Sequence, residues 1–555
     1  MEKPWLSEYP PGVPATVELD PSESVVDVVD RAVARFASRP AFSNLGRTIN
    51  YSEFDTLGRR FATWLQSLPG VGPGDRVAIM LPNLLQYPVA LIGAWRAGMV
   101  VVNVNPMYTP PELEHQLNDS GAKVLVVLAQ RALVFAEIQG RVGVRHVLVT
   151  GVGDLLGFPR GELANFMMRY VRKMPAAQVP GAVGWSTVQA CKPEDFRQPS
   201  PPTGGDLACL QYTGGTTGRS RGAMLTHANL VANIHQVNVW FAARCVPGQE
   251  VVITPLPLYH VYALMCNCLC YIDTGGHNIL ITDPRNLKGL IAEMRRRKFT
   301  AITGVNTLYQ AMVQHPDITT VDFSTLKLSS AGGMAVLAAT AKRWVEITGV
   351  MIHEGYGLSE TSPVVTSNPM TLTEYNGSIG LPLPGTVISL RNDAATEVAP
   401  GESGEICVQG PQVMRGYWND DAATASAMTS DGFLRTGDIA VMDDRGYFRI
   451  VDRKKDMIDV SGLKVYPNEI ENAITHHPAV LEAACIGVHD DRTGEAVKVF
   501  LVLKPEQTLT ADEVRTFLRG YLAPYKIPRH VEFRDSLPKS NVGKILRREL
   551  RASGG

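Results

Sequence analysis

The stretch Tyr212-Thr213-Gly214-Gly215-Thr216-Thr217-Gly218-Arg219-Ser220-Arg221-Gly222 constrains this chain more than any other. An apolar run, Leu207 to Leu210, precedes it and reads as a buried strand. Ala223-Met224-Leu225-Thr226-His227 follows and reads as a second strand ending at a threonine helix cap. Gly214, Gly215, Gly218 and Gly222 let the backbone turn several N–H groups toward one point, a cradle for an anion. The hydroxyls of Thr213, Thr216, Thr217 and Ser220, with two arginines, add donors and positive charge around a phosphate-sized space. A flexible surface loop would share this composition, but strand-like segments on both sides argue against a linker. No Gly-Lys-Ser/Thr closes the segment, so it is not a Walker A loop.

At 555 residues the chain exceeds one core, and two or three structural units are expected. Lys+Arg total 53 against 54 Asp+Glu, so nucleic acid is not an expected partner and any anion affinity must be local. Eight cysteines are scattered without a CxxC pair. Cys266, Cys268 and Cys270 alternate, but neither His260 nor His277 completes a metal-ligand spacing with them. They read as small buried hydrophobes in a reducing, cytoplasmic compartment. Met1-Glu2-Lys3-Pro4-Trp5 has no apolar core for a signal peptide. Val251 to Ile272 has the length to span a bilayer, but Pro255 and Pro257 break it early. A buried strand, a turn and a buried helix are expected there, with no transmembrane helix.

From about residue 24 to 150, Val/Ile-rich runs such as Arg76 to Leu81, Met99 to Val102 and Lys123 to Leu128 alternate with helical stretches. That is the texture of parallel α/β layers, and it resumes at Val251, Thr300 and Lys327. After residue 385 short strands and tight turns take over, then a dense charged stretch, Asp452-Arg453-Lys454-Lys455-Asp456. The remainder is a compact α+β pattern with a helix at Asp512 to Tyr521 and another at Ile545 to Leu550. The expected fold is α/β, with a large multi-subdomain N-terminal α/β domain over 1–454. A smaller α+β C-terminal domain over 455–555 completes it, the boundary falling at the charged stretch.

Five further segments stand in order with the glycine-rich loop. They are Pro257-Leu258-Tyr259-His260, Ala331-Gly332-Gly333-Met334, Gly355-Tyr356-Gly357-Leu358-Ser359-Glu360-Thr361, Thr436-Gly437-Asp438, and Pro538-Lys539-Ser540-Asn541-Val542-Gly543-Lys544. Together they resemble the adenylate-forming enzymes, the superfamily of acyl-CoA synthetases, luciferases and peptide-synthetase adenylation domains. The likeness covers nearly the whole chain. It is nearest to bacterial long-chain fatty-acyl-CoA synthetases, which Asn103-Val104-Asn105-Pro106-Met107-Tyr108-Thr109-Pro110 and Gly304-Val305-Asn306-Thr307 resemble in particular.

The resemblance implies ATP, Mg²⁺ and coenzyme A as reactants, with a long-chain fatty acid as the acid. It implies catalytic roles for Lys544, Glu360 and Arg221, and metal contacts for Thr213 and Glu360. Nucleotide contacts would come from Thr213, Gly214, Gly215, Thr216, Thr217 and Gly218, from Gly332 and Gly333, and from Glu354, Gly355, Tyr356 and Ser359. Asp438 and Arg453 would hold the ribose, and Lys455 would be the hinge about which the C-terminal domain turns. His260, Val261, Gly304 and Val305 would line the acyl pocket. The one departure is Arg221, where relatives usually carry lysine. A planar fork replaces a mobile ammonium, and charge alone is expected to matter there.

The residue types suit that chemistry. Joining a carboxylate to ATP brings two anions together, so phosphate charge must be neutralised and in-line geometry held. Tyr356 offers a flat face for adenine, and the two oxygens of Asp438 can accept from both ribose hydroxyls. Lys544, on a mobile domain, can reach the carboxylate and the α-phosphate and then leave. Taken singly, Glu360 reads as a cap, Asp438 as a turn residue, Lys455 as part of a solvated charge run and Lys544 as a surface lysine. Only their joint pattern separates the readings.

Two features stay open. Tyr259 to Leu264 supplies no carboxylate to meet a substrate ammonium, which favours an apolar acid, while His260 itself reads either as a pocket residue or as a core histidine. Leu163, Phe166, Met167, Tyr170, Val171 and Met174 share one face of a helical stretch, Glu162 to Lys173, with Arg169, Arg172 and Lys173 beside it. That face suits peripheral contact with the inner membrane surface, a homodimer partner, or the protein's own core. Rival functions are a medium-chain or aryl acid ligase, an acyl-AMP ligase serving a carrier protein, and a fatty-acid-binding membrane protein with degenerate catalysis.

Overall fold

The Val/Ile-rich runs are interior strands of two largely parallel sheets. The computed structural model describes residues 3–171, 179–213, 220–461, 463–490, 492–540 and 545–553. The chain falls into two compact units: Tyr9–Val387 with Gln409–Gly432, and Met1–Glu8 with Ile388–Val408 and Phe433–Gly555.

In the larger unit, one sheet of the described residues has seven strands. Its middle runs His146–Thr150, Val124–Leu128, Arg76–Met80, Val100–Asn103 and Leu207–Thr213, all parallel, with Arg221–Thr226 antiparallel at one edge. The other has nine strands. Its parallel centre runs Ile352–Gly357, Leu328–Ala331, Ala301–Gly304, Val251–Thr254 and His277–Leu280. Both faces of such sheets are covered, which is why Val124–Leu128 and Val100–Asn103 are buried at every position. One core beside the nine-stranded sheet gathers Ile253, Ile302, Tyr309, Trp344 and Ile352. The expected strand over the start of Val251–Ile272 ends at Thr254, and the buried helical part follows as Val261–Ala263, π-helical Leu264–Leu269 and Cys270–Asp273. Among the described residues no helix is long and apolar enough to cross a membrane.

The smaller unit holds a four-stranded sheet, Val387–Arg391, Gly404–Gln409, Leu434–Met442 and Phe448–Arg453. Its five-stranded sheet, among the described residues, centres on the long hairpin Val480–Asp490/Gly494–Leu503, whose Val499 and Leu501 share a core with Ile470, Ile474, Val514 and Leu518.

Three expectations change. The last helix spans Arg547–Ser553 rather than starting at Ile545. Ile545 pairs with Lys539 as a β-bridge and the Leu546 N–H bonds the Pro538 carbonyl, so that backbone is committed outside the helix. The stretch after Arg160 is a short helix, Arg160–Phe166, continued by π-helical Met167–Val171; Arg172, Lys173 and Met174 lie outside the described residues. Leu163, Phe166, Met167, Tyr170 and Val171 are exposed, so this face does not pack on the protein's own core. The side that turns inward is polar: Asn165 bonds the Asp154 carboxylate and the Gly153 N–H. The charged run 452–456 is not wholly solvated either, because Asp452 and Asp456 are buried.

Candidate active site

Three parallel strands of the larger unit end side by side. Gly304 is in register with Ala331, and Ala331 with Glu354. Gly304-Val305 and Gly332-Gly333 therefore leave the sheet beside Glu354-Gly355-Tyr356, whose strand runs on to Gly357, at the carboxyl edge where open α/β sheets bind ligands. A Cβ on Gly332 would lie 3.3 Å from the Gly355 carbonyl oxygen and 3.4 Å from the Tyr262 ring, so the crossing suits glycine. Tyr262 reaches this point from the helix after His260, and its hydroxyl lies 3.4 Å from Ser330 Oγ. His260 caps that helix, Nδ1 accepting from the Tyr262 N–H at 3.3 Å, and it is half-buried, whereas Val261 and Val305 are buried. Tyr356 is half-buried, paired with Thr366 on the antiparallel neighbour.

Glu354 is an unusual member of this edge. Its Oε2 accepts from the Val336 N–H at 3.1 Å, while Oε1 is buried with no partner among the described residues. Burial pushes the carboxyl up to about 8, so near neutrality the acid keeps its proton and can donate a hydrogen bond.

Thr213 ends its strand directly opposite Arg221, which opens the antiparallel partner strand of the hairpin. Gly214, Gly215, Thr216, Thr217 and Gly218 lie outside the described residues. Gly222 is needed beside it, since a Cβ there would sit 3.1 Å from the Tyr212 ring. The turn Ser359–Thr361, which carries Glu360, packs against both hairpin strands. Its backbone is tight: a Cβ on Gly357 would lie 1.8 Å from the Pro363 carbonyl oxygen. Glu360 is held twice by one distant segment: the Met414 N–H donates to its carbonyl at 2.8 Å, and the Tyr417 hydroxyl donates to Oε1 at 2.8 Å. Burial, and then Glu360, push the Tyr417 phenol well above its ordinary range, which keeps it a donor. Arg221 Nε pairs with Asp420 Oδ2 at 3.0 Å, and its guanidinium stands 5.8 Å from the Tyr417 ring centre.

Behind these motifs lies a buried polar chain. The Tyr87 hydroxyl lies 2.6 Å from Asn103 Oδ1 and 2.9 Å from the Leu258 carbonyl. Asn103 Nδ2 donates to Gln211 Oε1, and Gln211 Nε2 donates to the Tyr259 carbonyl at 3.1 Å. The loop bearing His260 is thereby fastened to the strand ending at Thr213.

In the smaller unit, Asp438 and Arg453 are cross-strand partners with Nε 3.3 Å from Oδ1. Burial, with Arg453 adding to it, pulls the Lys455 ammonium down to about 8. Arg547 joins the charged run to the final helix: its Nη2 lies 2.8 Å from Glu471, and its Nη1 lies 3.4 Å from Asp452 and 3.3 Å from Asp456. Lys544 lies outside the described residues; Lys539 and Ile545, which bracket it in sequence, pair as a bridge, and Arg547 anchors the helix that follows.

A family model described as AMP-binding enzyme matches residues 29–418, and one described as AMP-binding enzyme C-terminal domain matches 469–544. This chain belongs to the AMP-binding enzyme family. Among its relatives, the long-chain-fatty-acid--CoA ligase of Escherichia coli O157:H7 is 50% identical over 559 residues, covering 99% of this chain and 98% of that protein. The protein of the same name in Bacillus subtilis (strain 168) is 38% identical over 557 residues, with coverage of 99% and 98%. Among solved structures, ATP-bound MatB from Rhodopseudomonas palustris superposes with a TM-score of 0.83 at 29% identity, covering 96% of this chain and 99% of its own. The AMP-binding enzyme architecture, a large α/β N-terminal part with a smaller C-terminal domain, is thus the fold class of this chain.

Sequence reasoning missed Tyr417, Asp420, Tyr262 and the Asn103–Gln211 link. The only signal for the first two was an Arg-Gly-Tyr-Trp run, Arg415 to Trp418, in a turn-rich region. Hydrophobic periodicity does not mark such positions, since their partners are remote in sequence.

Proposed function

We propose that this AMP-binding enzyme converts long-chain fatty acids to acyl-CoA thioesters in two steps. The carboxylate oxygen attacks the α-phosphorus of ATP, the bond to the β-phosphate oxygen breaks, and pyrophosphate leaves. The CoA sulfur then attacks the acyl carbon, the carbon–oxygen bond to AMP breaks, and the thiol proton passes to solvent. The observation that carries this reading is the convergence of Gly332, Glu354, Gly355 and Tyr356 at one sheet edge, in a chain 50% identical to a long-chain-fatty-acid--CoA ligase over nearly its whole length.

Tyr356 stacks on adenine, and the Gly332-Gly333 backbone lets the base approach. Neutral Glu354 offers a proton to a ring acceptor. Asp438 and Arg453 take the ribose, with Lys455 close by. Thr213 to Gly218 cradle the phosphates, with Arg221 adding charge at the loop's exit and Ser359 at the turn before Glu360. Lys544 brings its ammonium to the reacting carboxylate and α-phosphate, and the 455–555 domain turns about Lys455 between the two steps. His260, Val261, Gly304 and Val305 line the acyl pocket, and apolar Leu264 and Met265 are buried on the turn that follows Val261–Ala263.

Glu360 and Thr213 present hard oxygens only, and among the described residues no group of three or more His, Cys, Asp or Glu could hold a metal. Such a sparse set suits Mg²⁺, which takes its other ligands from phosphates and water and, when bound, neutralises phosphate charge. Glu360 and Thr213 are the residues that would hold it.

The exposed face of residues 158–171 favours a second element. Phe158 is 86% exposed, and Phe166, Tyr170 and Val171 are each more than half exposed, with Arg160 and Arg169 on the same segment. An apolar patch with basic residues suits peripheral docking on the inner membrane surface from the cytoplasmic side, where fatty acids partition. Changing Phe158, Phe166 and Tyr170 to serine should abolish sedimentation with anionic vesicles. Unchanged sedimentation, together with loss of a dimer in analytical ultracentrifugation, would assign the face to a homodimer instead.

The function itself is tested by a panel of acids of graded chain length, following pyrophosphate with and without CoA. Long saturated acids should give the highest kcat/KM. A preference for medium-chain or aryl acids would overturn the substrate assignment, and release that is indifferent to CoA would favour an acyl-AMP ligase.

A further inference from the structure

The segment after Gln412 lies outside the motif segments named above, yet it braces Glu360. Its backbone runs beside the strand Arg221–Thr226: the Met224 N–H bonds the Gly416 carbonyl, the Trp418 N–H bonds the Gly222 carbonyl, and Ala223 pairs with Tyr417. The Tyr417 N–H also bonds Thr424 Oγ1 at 2.8 Å. These contacts place the Tyr417 ring between the Arg221 guanidinium and the Glu360 carboxylate. Asp420, which pairs with Arg221 Nε, is itself fixed because its Oδ1 accepts from the Ala423 N–H at 2.9 Å.

We propose that Arg221 is a positioning residue: held by Asp420, it stands over Tyr417, and Tyr417 sets the plane of the Glu360 carboxylate. This rests on the reading of Glu360 as a carboxylate facing the nucleotide's divalent cation. It gives a reason for the one departure from the family's loop. A planar fork can bond Asp420 through Nε while its face covers a ring; a lysine ammonium offers a point charge and no face. The hydroxyl–carboxylate bond is charge-assisted, so its loss is felt by whatever the carboxylate binds. Arg221 therefore acts through shape as well as charge, in contrast to the charge-only expectation drawn from the sequence.

The test uses the full-length protein, a non-hydrolysable ATP analogue and Mn²⁺, with Mn²⁺ affinity read by electron paramagnetic resonance. Glu360→Gln should weaken Mn²⁺ binding by about tenfold or more. Tyr417→Phe and Arg221→Lys should each weaken it by about threefold or more. Asp420→Asn, which keeps the helix-capping acceptor, should match Arg221→Lys and guards against a variant that misfolds. The Tyr417→Phe/Arg221→Lys double variant should be no weaker than Tyr417→Phe alone, because both act on one carboxylate. Full Mn²⁺ affinity in Tyr417→Phe and Arg221→Lys, with Glu360→Gln impaired, would overturn the proposal alone. Additive losses in the double variant would also overturn it. Full affinity in Glu360→Gln would remove the reading of Glu360, and the proposal with it.

Discussion

Asp438 and Arg453 face each other across adjacent antiparallel strands, Arg453 Nε 3.3 Å from Asp438 Oδ1. Asp438 is buried and the arginine one-third exposed, so the carboxylate is held with its direction set. A carboxylate fixed in this way can accept from two vicinal hydroxyls without first ordering itself. Asp438→Asn should raise KM for ATP by about tenfold while leaving KM for the fatty acid nearly unchanged. The variant should also discriminate less than the native enzyme against 2′-deoxy-ATP. Equal discrimination in both would separate Asp438 from the ribose.

Lys544 divides the two half-reactions. Lys544→Ala should nearly abolish pyrophosphate release, yet synthetic acyl-AMP with CoA should still yield thioester at a near-native rate. Equal loss in both assays would show that the lysine serves the whole cycle or the fold.

Many of the interior strands were legible, though not their order, because Val/Ile runs bounded by turn residues have few other uses. Val124–Leu128 and Val100–Asn103 are examples, each buried along its length. The Thr226 cap was legible for a similar reason: a hydroxyl between a strand and a helix satisfies an otherwise orphaned N–H, and its Oγ1 accepts from Asn229. The site was legible only where glycine and charge cluster in sequence. Tyr417 and Asp420 act on Glu360 and Arg221 from far along the chain, and no local pattern announces such pairing. The buried state of Asp452 and Asp456 was likewise hidden, because their partner Arg547 lies ninety-odd residues away. Where the sequence left an amphipathic face open to a membrane, a partner or the core, the structure exposes the apolar side and Asn165 anchors the opposite one.

Glu354 links stability to pH. Burial raises its carboxyl from 4.5 to about 8, so the folded chain keeps a proton that the unfolded chain releases. The native state binds more protons across that window, and this group's contribution is full below 4.5 and declines as pH climbs toward 8. Glu354→Gln should flatten the decline and raise Tm at the alkaline end by a few degrees relative to the native protein. Parallel Tm–pH curves for the two proteins would mean that the buried carboxyl is not protonated.

Arg547 holds together the charged run and the final helix. Removing it strands the buried carboxylate of Asp452 beside Glu471, while Asp456 keeps its ion pair with Arg551. Arg547→Met should cost about 3–5 kcal/mol of stability in denaturant unfolding of the C-terminal part. It should also slow pyrophosphate release, because the helix after Lys544 loses its anchor. A cost under about 1 kcal/mol would show the cluster to be solvated after all.

The most direct measurement follows all products of one reaction. The protein is mixed with ATP, Mg²⁺, CoA and a long-chain saturated fatty acid, and AMP, ADP, pyrophosphate and acyl-CoA are quantified together. AMP, pyrophosphate and acyl-CoA should rise in equal amounts, and with CoA omitted, acyl-AMP should accumulate in proportion to enzyme. Formation of ADP, or thioester without matching AMP, would contradict the adenylate route.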